Sequence, residues 1–296
     1  MYNNQTNPNY KCNYDFVPFN TPKYYQNAGK GDLCGYAELE LTTVGNLHIG
    51  NGFFIEQNGK FISETIKDID GNPIIPGSSF KGAIKSICRA VSDGCIPPVD
   101  EECRNLKNIY CSNKRCIVCD MFGMIGKVSL ASKVSITDFI SQNSSLNTEL
   151  VNSQFPPRPK NRKYKNGNTF KGYKFYKING DSQILKNPIK IEVINSNSKF
   201  TGKIFFKNLT KDQLGLLLFS CCIDKNINLK LGGYKNDGLG EVKCNCSKLM
   251  VNNKVENNPI DYVNYYINNH GRYFQYNIAK LNEILKPSIK VRWYYG

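Results

Sequence analysis

Five of the chain's twelve cysteines fall between residues 95 and 119, in the order Cys95-x7-Cys103-x7-Cys111-x4-Cys116-x2-Cys119. A C-x2-C pair preceded by two more cysteines in a short stretch can give four thiolates to one tetrahedral zinc. Both histidines, His48 and His270, lie far away in sequence. The expected ligands are therefore Cys103, Cys111, Cys116 and Cys119, with Cys95 as substitute. Such a zinc would be structural, because four thiolates leave no open position for water. The plainer alternative is a set of small buried thiols.

The second chemistry is polyanion binding. Lys plus Arg number 39 against 24 Asp plus Glu, a formal charge of +15. Nucleic acid is the leading partner for such a chain, ahead of an anionic membrane surface. The charge is clustered. Between Leu150 and Gly180 there is no acidic residue, but there are Arg158, Lys160, Arg162, Lys163, Lys165, Lys171, Lys174 and Lys177, interleaved with aromatics that include Tyr164, Tyr173 and Tyr176. Cations neutralise phosphates and aromatic faces stack on unpaired bases, so this stretch suits single-stranded RNA. A shorter stripe, Lys81, Lys85 and Arg89 at i, i+4 and i+8, would place like charges on one helix face, an arrangement relieved by an anion lying across it. Two glycine loops, LHIGNG at residues 47–52 and LGGYKNDGLG at residues 231–240, match neither a Walker loop nor G-x-G-x-x-G and read first as tight turns. No G-x-S-x-G occurs, which leaves nucleophilic catalysis unsupported.

These groups need elements to hold them: Cys34 to Thr42 alternates as a strand should, and residues 53–70 suggest a hairpin turning at Asn58-Gly59. Ser78 or Ser79 would cap a helix whose apolar positions run from Phe80 to Val91. Residues 127–139 and 201–209 predict further strands, Thr210 with Gln213 a capping box ahead of LGLLLFSCCI, and residues 240–246 a last strand. With the polar segments set aside, the order is strand, helix, strand, strand, helix, strand, the pattern of an α+β, ferredoxin-like (RRM-like) βαββαβ domain. The expected organisation is an irregular arm at 1–33, one domain at 34–250 with a zinc insertion at 95–126 and an extended basic insertion at 140–198, and a C-terminal extension at 251–296. That extension should hold helices near 260–268 and 278–285 and a closing strand at 289–295. The opening MYNNQTNPNY lacks an apolar core and a cleavage site, and no run is long enough to span a membrane, so a cytoplasmic protein is expected.

In this order LHIGNG, NPIIPGSSFKGAIKSICR (72–89), CIVCDMFG (116–123) and GGYKNDGLGEV (232–242) resemble the RAMP superfamily of CRISPR-associated proteins, and most closely the backbone subunits of type III and related effector complexes. The similarity spans roughly residues 34–247. It implies an RRM-like domain that polymerises along a CRISPR guide RNA, with a thumb that interrupts guide and target pairing. By position, 140–198 matches the thumb, including Arg158, Lys160, Arg162, Lys163 and Tyr164. Ser78, Ser79, Lys81, Lys85 and Arg89 match the helix start and face that hold guide phosphates, for which free amides at a helix start give a physical reason. His48, Gly50 and Gly52 come with the first glycine loop, and Gly233, Lys235 and Gly238 with the second, where Asp237 stands in place of a common basic residue.

Catalytic members of the family carry an aspartate ahead of the P-G-S-S segment. Here the segment reads KFISETIKDIDGNP, with Ile62 at that position and Glu64 where a proline would lie. The resemblance therefore implies no catalytic residue, with Glu64, Asp68 and Asp70 as fallback carboxylates. The leading expectation is a guide-binding subunit that presents RNA for target pairing and leaves cutting to a partner. Its partners would be guide RNA, target RNA, copies of itself in a filament, other effector subunits and a separate nuclease. The runner-up is an endoribonuclease using Mg2+, and the third a zinc-stabilised subunit that caps the assembly.

Overall fold

The computed structural model describes residues 13–24, 31–57, 59–96, 111, 114–127, 129–154, 162–167, 169–180, 187–270 and 272–288. The architecture is α+β. Its main sheet runs Leu229–Lys230, Glu241–Val251, Leu33–Thr43, Lys199–Leu209, Phe139–Asn143, Ile74–Ile75, with antiparallel neighbours throughout. Val134–Ile136 also pairs with Lys199–Leu209. Leu33–Thr43 is central because its alternation supplies one fully apolar face: Ala37, Leu39 and Leu41 are buried, while Tyr36, Glu38 and Glu40 point the other way.

The helix Gly77–Ala90 covers that apolar face, burying Phe80, Ile84, Ile87 and Cys88. Its start differs from the expectation. The N-cap is Pro76, without a side-chain cap, and Ser78 and Ser79 lie in the first turn. The Gly77 amide is satisfied from outside the helix, by Asp138 Oδ1 at 2.8 Å, so no serine cap is required. The second helix, Lys211–Ser220, carries the capping box between Thr210 and Gln213 and is buried along nearly its whole length. Ile260–Asn269 lies close against it. A Cβ on Gly215 would meet the carbonyl oxygen of Tyr262 at 2.3 Å, so the approach of the two helices requires glycine there. Arg272–Ile284 completes the C-terminal extension, and the expected closing strand at 289–295 lies outside the described residues. Among the described residues no helix is long and apolar enough to cross a membrane.

Two segments depart from the expected pattern. Tyr14–Val17, part of the supposedly irregular arm, is a strand paired antiparallel with Tyr173–Tyr176. The 140–198 segment is less extended than its composition suggests, because Leu146–Asn152 and Pro188–Ile194 join Gly50–Gln57 and Lys60–Thr65 in a second, four-stranded sheet. Val151, Ile191 and Val193 bury a small core of its own with Leu239. Alternation with Asn, Lys and Thr on the wet face diluted the apolar signal without removing it.

Candidate functional site

The sulfur atoms of Cys95, Cys111, Cys116 and Cys119 all lie within 4.8 Å of one another. The expected substitute, Cys95, is thus in the tetrad, and Cys103 lies outside the described residues. Cys116 is the N-cap of the short helix Ile117–Phe122, and its Sγ accepts from the amides of Cys119 at 3.4 Å and Cys95 at 3.2 Å. Cys111 Sγ accepts from the Cys116 amide at 3.2 Å. Amides aimed at sulfur stabilise thiolate, and hydrogen bonds from the Cys111 and Cys119 thiols hold Cys116 below the usual thiol range. A tetrahedral four-thiolate zinc has sulfur edges of about 3.8 Å, so the four sulfurs need only a small contraction to hold one. The residues fit a closed structural metal site.

Asp120, beside the last cysteine, is 1% exposed. Its carboxylate accepts from Lys133 Nζ and Gln213 Nε2, both at 2.7 Å, with Arg115 at 3.6 Å. This buried ion pair ties the cysteine segment to the capping box of the second helix. Sequence reasoning missed it, since an aspartate within C-D-M-F-G carries no spacing signal of its own.

Along the first helix the expected phosphate stripe is half buried. Lys81 Nζ donates to Ser132 Oγ and the Val134 carbonyl at 2.9 and 2.8 Å, and Lys85 Nζ lies 3.5 Å from the Gly123 carbonyl and 5.9 Å from the Phe122 ring centroid. Burial lowers the affinity of both amines for their protons, with Arg89 adding to the effect at Lys85. Lys85 therefore braces the end of the cysteine segment, and Lys81 the chain at 132–134 that follows it.

The two glycine loops, 180 residues apart in sequence, meet. The Gly233 amide donates to the His48 carbonyl at 2.8 Å and the Gly240 amide to the Asn46 carbonyl at 2.8 Å. Gly232, at φ +73°, passes so close that a Cβ would lie 2.2 Å from His48 O. The His48 ring is buried, with Nδ1 2.6 Å from the Glu192 carbonyl and Tyr234 edge-on at 5.4 Å. Burial depresses its basicity. His48 thus positions both loops. From there the backbone steps by hydrogen bonds from Ile66 N to Ile49 O and from Ile74 N to Ile66 O, which delivers the chain to Pro76 and the helix start. Asp237 accepts from Asn152 Nδ2 at 2.6 Å and Gln154 Nε2 at 2.9 Å, fastening the second glycine loop to the smaller sheet. Lys235 is half buried, and that burial depresses its pKa.

Among the described residues, Glu64, Asp68 and Asp70 form no common metal-ligating group. Ile62 is buried within the smaller sheet, paired with Ile55 and Lys190. Glu64 is held below its usual range by hydrogen bonds from Asn51 and Lys67, and Lys67 also bridges to Glu192. Asp68 closes its own turn on the amides of Asp70 and Asn72. Among the described residues the cysteine tetrad is the one group of three or more such ligands able to share a metal.

In the basic aromatic stretch, Arg158 and Lys160 lie outside the described residues, and Arg162, Lys163 and Tyr164 form a 3-10 turn. Tyr164 stacks on Tyr14 of the N-terminal strand at 5.8 Å. Lys174 Nζ lies 4.1, 5.3 and 4.4 Å from the ring centroids of Tyr14, Tyr164 and Tyr176. Part of the expected stacking surface is therefore engaged by the chain's own cation.

Two comparisons bear on these features. The family model of the RAMP superfamily matches residues 40–243, which contain both glycine loops, the P-G-S-S helix start and the cysteine tetrad. No curated protein matches the chain.

Proposed function

The chain belongs to the RAMP superfamily, and from that membership we propose that it is a guide-RNA-binding backbone subunit of a CRISPR effector complex of the type III kind. It presents the guide for pairing with target RNA and leaves cutting to a partner nuclease. The observation that carries this reading is the single edge on which the backbone ladder assembles LHIGNG, the P-G-S-S helix start and the second glycine loop. Glycines let backbone amides approach a phosphate chain closely, and the amides of Ser78 and Ser79 add donors beside them, the Gly77 amide being held by Asp138 Oδ1 at 2.8 Å.

Further features support the parts of the proposal. The antiparallel order Glu241–Val251, Leu33–Thr43, Lys199–Leu209, Phe139–Asn143, with the two long helices on one face, suits a ferredoxin-like core. A zinc on Cys95, Cys111, Cys116 and Cys119 would stiffen the segment against which Lys85 is braced, and would supply no catalysis. The described part of the 140–198 segment and Tyr14–Val17 together form the thumb. Ile62 offers no proton acceptor or metal ligand, and Glu64 and Asp68 are committed within the chain.

The test is purification of the complex from its host, sequencing of the bound RNA and incubation with end-labelled matched target and Mg2+. The proposal expects guide-type RNA of repeat-derived sequence and a target that is retained uncut until a nuclease subunit is added. A metal-dependent ladder of evenly spaced products, abolished by Glu64→Ala, Asp68→Ala or Asp70→Ala, would replace it with the endoribonuclease reading.

A further inference from the structure

The hairpin of Gly50–Gln57 and Lys60–Thr65 stands at the edge of the smaller sheet and leaves large apolar side chains in solvent. Phe53 is 71% exposed, Phe54 65% and Phe61 71%. Through the pairs Phe54–Ser63 and Glu56–Phe61, both rings of the regular part share one face with Glu56. At roughly 200 Å2 per aromatic side chain the three rings expose about 400 Å2, half of the roughly 800 Å2 that one partner buries in a standard protein interface. The charge is inverted here as well. Residues 50–72 carry Glu56, Glu64, Asp68 and Asp70 against Lys60 and Lys67, a net −2 in a chain of +15. An acidic apolar patch of this size repels a phosphate backbone and attracts a basic protein surface.

The same chain presents the complement. On the main-sheet face opposite the helices, the strand register sets Val255, Met250, Tyr36 and Phe205 in one row. Val255 is 57% exposed and Phe205 44%. Beside that row, Lys248 and Lys203 flank Glu38, and farther along Lys243 and Lys199 flank Thr42; with Glu40 between them, four lysines stand against two carboxylates, a net +2. Lys203 and Lys248 Nζ lie 5.2 and 6.0 Å from the Tyr36 centroid, which caps that ring with cations and aliphatic stems rather than opening it to a base. We propose that these two surfaces meet between copies of the chain, the acidic hairpin of one docking on the basic apolar row of the next. Neither patch pairs with itself without setting like charges together, so the contact is heterologous and repeats head to tail. Opposite charge sets its register and the rings supply its buried area. The inference rests on the backbone reading for its place in a complex, whereas the contact itself requires no RNA.

The experiment is sedimentation velocity of the full chain, nuclease-treated and freed of RNA, over a series of protein and salt concentrations. The parent should form concentration-dependent oligomers that weaken as salt rises. Phe54→Ser with Phe61→Ser should weaken association about tenfold or more, and Phe205→Ser with Val255→Ser should do the same. Mixed, these two variants should form a 1:1 dimer that neither forms alone, because each keeps the surface the other has lost. Glu56→Lys should lower affinity and flatten its salt dependence. All of these side chains are exposed, so each variant should keep the parent's Tm, and Glu56→Lys reports even where a double variant fails to fold. A parent that stays monomeric across the series, or a folded Phe54→Ser, Phe61→Ser chain within twofold of it, overturns the proposal, as does the absence of a dimer on mixing. If the hairpin variant instead loses single-stranded RNA in fluorescence anisotropy while association holds, the rings belong to RNA and the proposal falls. Guide binding is read separately, from RNA that co-purifies with the parent: a monomer carrying guide RNA refutes this contact and leaves the guide-binding reading standing, and RNA-free oligomers from a chain that carries no guide do the reverse.

Discussion

The cysteine segment and the basic aromatic segment were both conspicuous by composition, yet their side chains are arranged in opposite ways. Four sulfurs converge on a common centre, backed by amides and bounded by the buried Asp120. In the basic aromatic segment, Lys174 sits among Tyr14, Tyr164 and Tyr176, and cation and rings satisfy one another. Like ligands that crowd together are destabilising without a cation between them, whereas unlike groups that crowd together need nothing further. Convergence of like groups marks a ligand site; mutual satisfaction marks a clasp.

That contrast can be broken experimentally, most forcefully at the cysteines. Removing metal with a chelator, or changing Cys116→Ser, should cost about 3–5 kcal/mol and lower Tm by roughly 10 °C, since metal binding there is coupled to folding. Elemental analysis of protein purified without chelator should find one zinc per chain, and much less than that would reduce the tetrad to packed thiols. Next in size, Asp120→Ala leaves Lys133 and Gln213 without their buried acceptor and should cost about 3 kcal/mol in a denaturant melt. A loss below about 1 kcal/mol would show that the carboxylate does not tie the metal segment to the second helix.

The clasp should respond far less. Lys174→Ala is expected to cost about 1 kcal/mol or less while freeing three ring faces. RNA affinity should then hold or rise in the variant despite the lost charge; a fall comparable to that of a phosphate contact would show that Lys174 faces RNA rather than the tyrosines. The smallest effect belongs to Asp15, which anchors the N-terminal strand to Lys280 at 2.8 Å. Burial pushes its carboxyl up, but the hydrogen bonds and charge of Lys280 outweigh that, and the folded pKa lies below the ordinary value of 3.8. A depressed carboxylate contributes stability above its unfolded pKa and loses it as pH falls through the folded one. Below about pH 4 the strand should therefore loosen, by less than about 1 kcal/mol, and Asp15→Asn should abolish that pH dependence in hydrogen exchange of residues 14–17.

Much of this was legible in the chain. Period-2 alternation defined the central strand, and the T-x-x-Q box marked the second long helix, because a side chain that must meet its own backbone within three residues leaves a local trace. The serines do not cap the first helix because the acceptor for its first amide is Asp138, a residue distant along the chain that leaves no local trace. The strands of the smaller sheet were hidden for a different reason: their wet faces carry enough Asn and Lys to resemble a loop, and only pairing with Lys60–Thr65 reveals them.

By itself, the sequence determined composition, charge, the spacing of cysteines along the chain and the family motifs, all of which are local in the polymer. Which four thiols meet, that His48 joins two glycine loops and that Asp120 reaches Gln213 were decided only by the tertiary structure. The physical reason is that these are contacts between residues distant along the chain. Their geometry follows from strand register and helix packing, and those depend on the burial of the whole apolar face together rather than on any one segment's preference.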